Sequence, residues 1–544
     1  MTKIIKTYTF LSVIILLQIC LIAYFGYKKE GLFMDELWTF NLSNGYFFPM
    51  VGDASSYYDR WLPGDFFHDA LVASKPFSFD SVFYNQSADV HPPLYYAIIH
   101  FICSITIGEY SKWHGIILNI ALFLISQILL FELTKKVTKE TRYALVVCFL
   151  YGFSIGTISM CVSIRMYMLL TLFTVLITYL HYLYFNLVFH NESFSSKTEN
   201  ILIIIVGTSY MLGFLVHYYF VIYAFFLSLF TLPIIYIFSG CKSLIKYVLG
   251  TVSGIISAVM IFPSCLTHIL GSGYRGVEAF NNLHETNIYD RVKDFLSFVN
   301  NETGVLTITS VCILLFTFTK LLRCCDIGRL GYRKNIEVTI PIKCLKFNLC
   351  HNRVLLTVIA LALISSFILI SKIAGFVTPR YIWHLQPLIV IIAFLLSIKC
   401  IDKTLKNKNF AICFIVIIFV AVMTPNIRTK NIAWLYTVDK PVFDILNENS
   451  KLSKKMIAIQ SDKTWWPMMA GVKFFEKTEY TLMTTFDNIQ NIRFEDKSYF
   501  IFISHQANQS QTKEIFNYLN SHGYKSITTI YSEWPGNIYR ITKS

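Results

Sequence analysis

The stretch "FMDELWTF", residues 33–40, sets two adjacent carboxylates, Asp35 and Glu36, among hydrophobic side chains just past the first long apolar run. A carboxylate there can take a proton from a substrate hydroxyl. It can equally start a helix, with Asp35 as cap and Glu36 in the first turn, where the helix dipole favours it. Adjacent helical residues point about 100° apart, so one of the two would act while the other orients it. "HPPLYY", 91–96, supplies His91; Pro92 pushes it toward an extended backbone and Pro93 suits the first turn of the next helix, so the prolines fix where the imidazole points. "SIRMYMLL" brings Arg165 and Tyr167, "VHYYF" brings His217, and "TPRYIWHLQP" brings Arg380 and Tyr381. Each has a plain reading alone: arginine snorkels at a membrane boundary, and tyrosine and histidine sit in an interfacial belt. Together they describe an acid or base beside an anion site, because guanidinium groups give phosphate planar, charge-assisted hydrogen bonds that carboxylates cannot.

The elements that must position these residues are membrane helices. Of 544 residues, 55% are hydrophobic, 16% aromatic and only 15% charged, and the mean hydropathy is +0.53, which excludes a soluble enzyme. Apolar stretches long enough to cross a bilayer lie near 8–26, 113–131, 143–160, 167–189, 200–216, 218–238, 245–263, 304–322, 354–373, 384–400 and 410–425, about eleven spans. The segment 93–107 is too short to cross and is expected to lie in the interface as a juxtamembrane helix. The formal charge of +14 sits in short loops, so it reports topology rather than nucleic-acid binding. The 13 cysteines imply no disulfide framework, and Cys324, Cys325, Cys344, Cys350 and His351 have no zinc-ligand spacing. No metal ligand is assigned, no cofactor is required by the residues, and a divalent metal is left open.

Loop 320–353 carries eight Lys and Arg, which places it in the cytoplasm together with 241–246 and 399–409. The N-terminus is then cytoplasmic, while 27–112, the Arg165, His217 and Arg380 regions and the C-terminal tail face outward across the plasma membrane. Residues 1–428 read as the transmembrane domain, with 27–112 its first outer loop, and 429–544 as a small outer α/β domain. Within the tail, 456–460, 499–504, 526–531 and 537–542 have strand patterns, and 511–524 a helical one. Scarce Gly and Ala beside abundant Ile, Asn and Lys suggest an AT-rich bacterial genome.

The order of Asp35–Glu36 after the first span, "HPPLYY" in the first outer loop, "RMY" opening a later helix, then "HYYF" and "RY", resembles the GT-C membrane glycosyltransferases of the protein O-mannosyltransferase and aminoarabinose-transferase superfamily. The resemblance covers roughly residues 8–400. It implies a mostly α, polytopic GT-C-type fold and a polyprenyl-phosphate-linked sugar donor that enters from the bilayer. It also implies transfer on the exoplasmic side to a protein, lipid or cell-wall glycan acceptor. Carried onto this chain, Asp35 would be the base toward the acceptor hydroxyl and Glu36 its support, while His91, Arg165, Tyr167, His217, Arg380 and Tyr381 would bind substrate. Two alternatives use the same phosphate site: a transporter or flippase of a lipid-linked glycan, and a cell-wall glycan polymerase or ligase. The absence of a Gly-rich phosphate loop or Rossmann fingerprint agrees with a lipid-linked rather than nucleotide-linked donor.

Overall fold

The computed structural model describes residues 2–190, 196–272, 274–330, 351–405, 407–447, 454–466, 468–533 and 536–543. The chain divides into two compact units. The first comprises 1–22, 120–161 and 166–432; the second comprises 23–119, 162–165 and 433–544.

The first unit is helical, and the protein is a multi-pass membrane protein. Among the described residues of the whole chain, 8 helices are long and apolar enough to cross a membrane, or up to 10 if each of two bent pairs is one span. The bent pairs are Thr141–Gly152 with Ile155–Val162, at 59°, and Ile288–Thr303 with Val305–Leu321, at 91°. The stretches expected as separate spans at 218–238 and 245–263 run together as Tyr218–Ile261, broken at Gly240 with φ +77°. The chain reverses there. Ser228 and Tyr247 share a 2.8 Å hydrogen bond, whereas 19 residues of straight helix would separate them by about 28 Å. The returning half packs its small residues on helix Ser196–Val216, where a side chain on Gly254 would run into the Gly207 carbonyl. Buried amides join further helices: Gln127 donates to Gln18 at 3.0 Å, and Gln18 to the Cys148 carbonyl at 3.0 Å. The apolar segment at 93–107 forms only the short helix Leu94–Cys103, in the second unit. Cys344 and Cys350 of the basic loop lie outside the described residues.

The second unit is built on a six-stranded sheet in the order β1-β3-β2-β4-β6-β5. Its strands are β1 (Trp61–Pro63), β2 (Lys455–Gln460), β3 (Tyr480–Thr485), β4 (Ser498–Ser504), β5 (Ser526–Glu533) and β6 (Gly536–Thr542). β2 runs parallel to β3 and β4, and β1, β6 and β5 add antiparallel. The central strand β4, "SYFIFIS", is buried along its whole length, as continuous apolar patterning requires of a strand covered on both faces. Ile457, Ile501 and Ile503 pack with Ile515 and Leu519 of helix Gln509–Ser521, which starts at an Asn508–Gln511 capping box. On the other face Phe502 meets Phe475, which meets Phe67 of helix Gly64–Asp69. The tail therefore takes both an edge strand and a covering helix from the first loop.

Candidate active site

In the second unit the helix Met34–Asn44 presents the paired acids, and the structure gives them different work. Asp35 does not cap the helix; Glu36, its third residue, accepts the Phe33 N–H at 2.7 Å. The Glu36 carboxylate also accepts the Ile164 N–H at 2.7 Å and the Lys29 ammonium at 2.9 Å, with both charged side chains fully buried. Lys29 donates in turn to the Trp434 carbonyl. The Phe33 ring stacks on Trp434 at 5.0 Å and 8°. Trp434 and Tyr436 hold φ of +62° and +47°, a left-handed backbone that bulky residues rarely adopt. The Glu36 carboxylate thus ties Lys29, Phe33 and Ile164 together at the start of the Asp35 helix, and Lys29 and Phe33 carry the link on to Trp434.

Arg165 fixes the other side. It is 3% exposed, and its Nη1 donates to the Asp35 backbone carbonyl at 3.0 Å, to Thr39 Oγ1 at 3.1 Å and to the Tyr96 hydroxyl at 3.0 Å. The guanidinium carbon lies 5.9 Å over the Tyr96 ring. Nη2 reaches His91 Nε2 at 3.5 Å, and His91 Nδ1 lies 2.8 Å from Asp89. The hydrogen-bond network assigns the Nδ1 proton to the Asp89 contact, which leaves Nε2 to face Arg165 as an acceptor. Burial pushes the His91 pKa down, against the pull of Asp89, so the ring is neutral at ordinary pH. Burial works to raise the Asp89 pKa, but His91 and Arg165 outweigh it and hold the carboxyl below the usual range. His91 thus links the Asp89 carboxylate to the Arg165 guanidinium.

The remaining sequence-selected residues lie in the first unit and meet one another there. The Tyr167 ring is 6.0 Å from His217 and packs edge-on to Trp383 at 5.5 Å. His217 caps the helix that begins at Tyr218, its Nδ1 accepting the Tyr219 N–H at 3.0 Å. Tyr219 contacts Tyr381 at 5.4 Å, and the Arg380 guanidinium lies 5.5 Å over the Tyr381 ring. Trp383 Nε1 donates to Glu302 at 2.9 Å, and Gln386 donates to the same carboxylate.

Lys29, Thr39, Asp89 and Glu302 were not singled out from sequence. Asp89 stands two residues before His91, and Lys29 belongs to a "KKEG" run that reads as an ordinary membrane boundary. Only the fold shows that Lys29 turns inward. Among the described residues, no group of three or more His, Cys, Asp or Glu side chains is placed to hold a metal ion.

No protein-family model and no curated protein sequence matches the chain. Solved structures similar to it include ArnT from Cupriavidus metallidurans bound to undecaprenyl phosphate, with 10% identity, a TM-score of 0.49 and 97% of each chain covered. The same protein in the apo state gives 10% identity and a TM-score of 0.45 over 92% of this chain and 95% of that one. An Archaeoglobus fulgidus oligosaccharyltransferase in complex with Zn and sulfate gives 13% identity and a TM-score of 0.40 over 95% of this chain and 72% of that one. At such identity and overlap the likenesses decide neither substrate nor residue roles.

Proposed function

We propose that this protein is a membrane glycosyltransferase that moves a sugar from a polyprenyl-phosphate donor to an acceptor hydroxyl on the exoplasmic face. The observation that carries the reading is the grip of buried Arg165 on the backbone of Asp35, with His91 and Asp89 behind it. A carboxylate and a guanidinium held in one rigid network suit a reaction that needs a base and a cation together. In transfer, the acceptor oxygen bonds to the anomeric carbon as its proton passes to Asp35, and the bond from that carbon to the phosphate oxygen breaks. The electron pair leaves with polyprenyl phosphate. Negative charge grows on that leaving oxygen, and fixed donors stabilise it most in a dry site. In this reading Arg165 supplies charge near the reacting centre, and Glu36 positions the Asp35 helix instead of touching substrate. Tyr167, His217, Arg380 and Tyr381 are assigned to donor binding on the sequence pattern, and the bound ArnT structure makes undecaprenyl phosphate the natural first probe.

The test is release of free polyprenyl phosphate by purified protein in detergent, across a panel of lipid-phosphate sugars and acceptors. Detergent removes the second leaflet, so transport is undefined and only chemistry can give product. Release supports the transferase. Absence of release from every donor, combined with movement of the lipid across liposomes, would make the protein a transporter.

A further inference from the structure

A cavity of about 440 Å³ opens in the second unit beside β1 and β3, lined in part by Asp59, Trp61, Asn488, Asn491, Arg493 and Glu495. Its volume falls within the roughly 300–1,000 Å³ usual for small-ligand sites. We propose that this cavity binds neutral pyranose units of a glycan.

The charges along the wall cancel. Asp59 is tied to Lys463 at 2.7 Å and accepts from Thr484 at 2.8 Å, and Lys455 is tied to Asp496 at 2.9 Å. Burial acts to raise the Asp59 pKa, yet donation from Lys463, Asn488 and Thr484 prevails and keeps the carboxyl below its ordinary value. It is an ionised acceptor in a fixed place. With carboxylates and cations balanced, no net field selects a phosphate or an amine, and hydrogen bonding is left to choose the ligand. Asn491 donates to Asn488, so the two amides are already paired beside Asp59 in the wall. Amides carry both donors and acceptors, as sugar hydroxyls do, and a matched pair leaves few polar groups unsatisfied on either side.

The apolar part of the wall complements the ring. Trp61 and Tyr499 stack at 6.2 Å and 20°, and Leu482 and Ile492 lie beside them. A pyranose has one such C–H surface beneath its rim of hydroxyls, whereas an ion has none. The corner is built on an unusual backbone: Asp59 takes φ +60°, a region that aspartate tolerates better than most residues. Its N–H donates to the Met483 carbonyl at 2.8 Å, locking the loop to β3.

The experiment is calorimetric titration of the full-length protein in detergent with methyl glucoside, methyl galactoside, N-acetylglucosamine and maltotriose. Glucose 6-phosphate and glucosamine serve as charged controls. Saturable binding of at least one neutral probe, stronger than of either control, is expected. Asn491→Ala should weaken it about tenfold, the loss of one well-placed hydrogen bond. Arg493→Ala, a change at an exposed side chain, gives a second variant whose folding is not in question. Asp35→Asn should bind the probe as the wild type does, which separates this cavity from the proposed transfer site. Four results would overturn the proposal: no saturable binding by any neutral probe, preference for a charged control, unchanged affinity in both cavity variants, or loss of binding in Asp35→Asn.

Discussion

Arg165 and His91 show how far residue types can be read without a fold. The sequence identified an acid, a histidine and an arginine from separate segments as a set, because their chemistry is complementary. It could not show that Arg165 holds the Asp35 main chain, or that His91 stays neutral between Asp89 and the guanidinium. Those facts depend on burial and on angles between segments far apart in the chain. They lead to two predictions. Lysine at Arg165 keeps the charge but not the planar fork that meets the Asp35 carbonyl, Thr39 and Tyr96 at once. Single-turnover transfer by Arg165→Lys should therefore fall by about 100-fold or more, with a smaller change in donor affinity, since fixed donors act mainly on the transition state. The second concerns pH. His91 has a lowered pKa when folded, so the unfolded chain takes up its proton first as pH falls below about 6.5. The stability from its neutral form is complete above that value and declines as pH drops toward the folded pKa. Thermal unfolding in detergent should show a melting temperature that falls as the pH drops below about 6.5, with a shallower fall in His91→Gln.

The elements were legible in proportion to how local their signals are. The apolar runs expected to cross the membrane fall on helices or bent helix pairs, the run at 245–263 ending two residues past its helix, because hydropathy over about 20 residues is a property of the segment alone. The strands β2, β4, β5 and β6 and the helix between β4 and β5 also carried clear patterns. β1 is three residues, "WLP", and β3 is "YTLMTT"; neither has a periodicity that stands out: β1 owes its state to pairing with β3, far along the chain, and β3 to pairing with β2 along its whole length as well as with β1. Glu36 is expected from the sequence to support Asp35; the fold adds that its carboxylate holds the Phe33 and Ile164 N–H groups and Lys29 at the helix start. Glu36→Gln would leave the Lys29 ammonium buried without its countercharge. Breaking a buried pair from one side costs about 3–5 kcal/mol, so thermal melting of Glu36→Gln should show a large loss of stability. The double variant Lys29→Met/Glu36→Gln should regain most of it. A Glu36→Gln variant that melts like the wild type but does not turn over would instead place Glu36 in the chemistry.

At the scale of the molecule, the tail was legible as an α/β unit but its dependence on the first loop was not. Because β1 covers the edge of β3 and helix Gly64–Asp69 covers a sheet face, residues 429–544 expressed alone should expose apolar surface and a strand edge. Aggregation or weak cooperativity on melting is the expected outcome, relieved when 23–119 is supplied. The basic loops are the ground on which we propose that the Asp35 side faces outward. In a cysteine-light background, Tyr46→Cys, Phe280→Cys and Lys525→Cys should react with an impermeant maleimide in intact cells, and Lys242→Cys should not. The reverse pattern would move Asp35 to the cytoplasmic side. The central claim is that Asp35 is the base of a sugar transfer, and the most direct measurement is single-turnover release of polyprenyl phosphate by the wild type and Asp35→Asn, with donor binding measured in parallel. The amide, which keeps the shape but cannot take the proton, should lose about 100- to 10,000-fold in release rate while donor affinity stays nearly unchanged. Wild-type release by Asp35→Asn would contradict it.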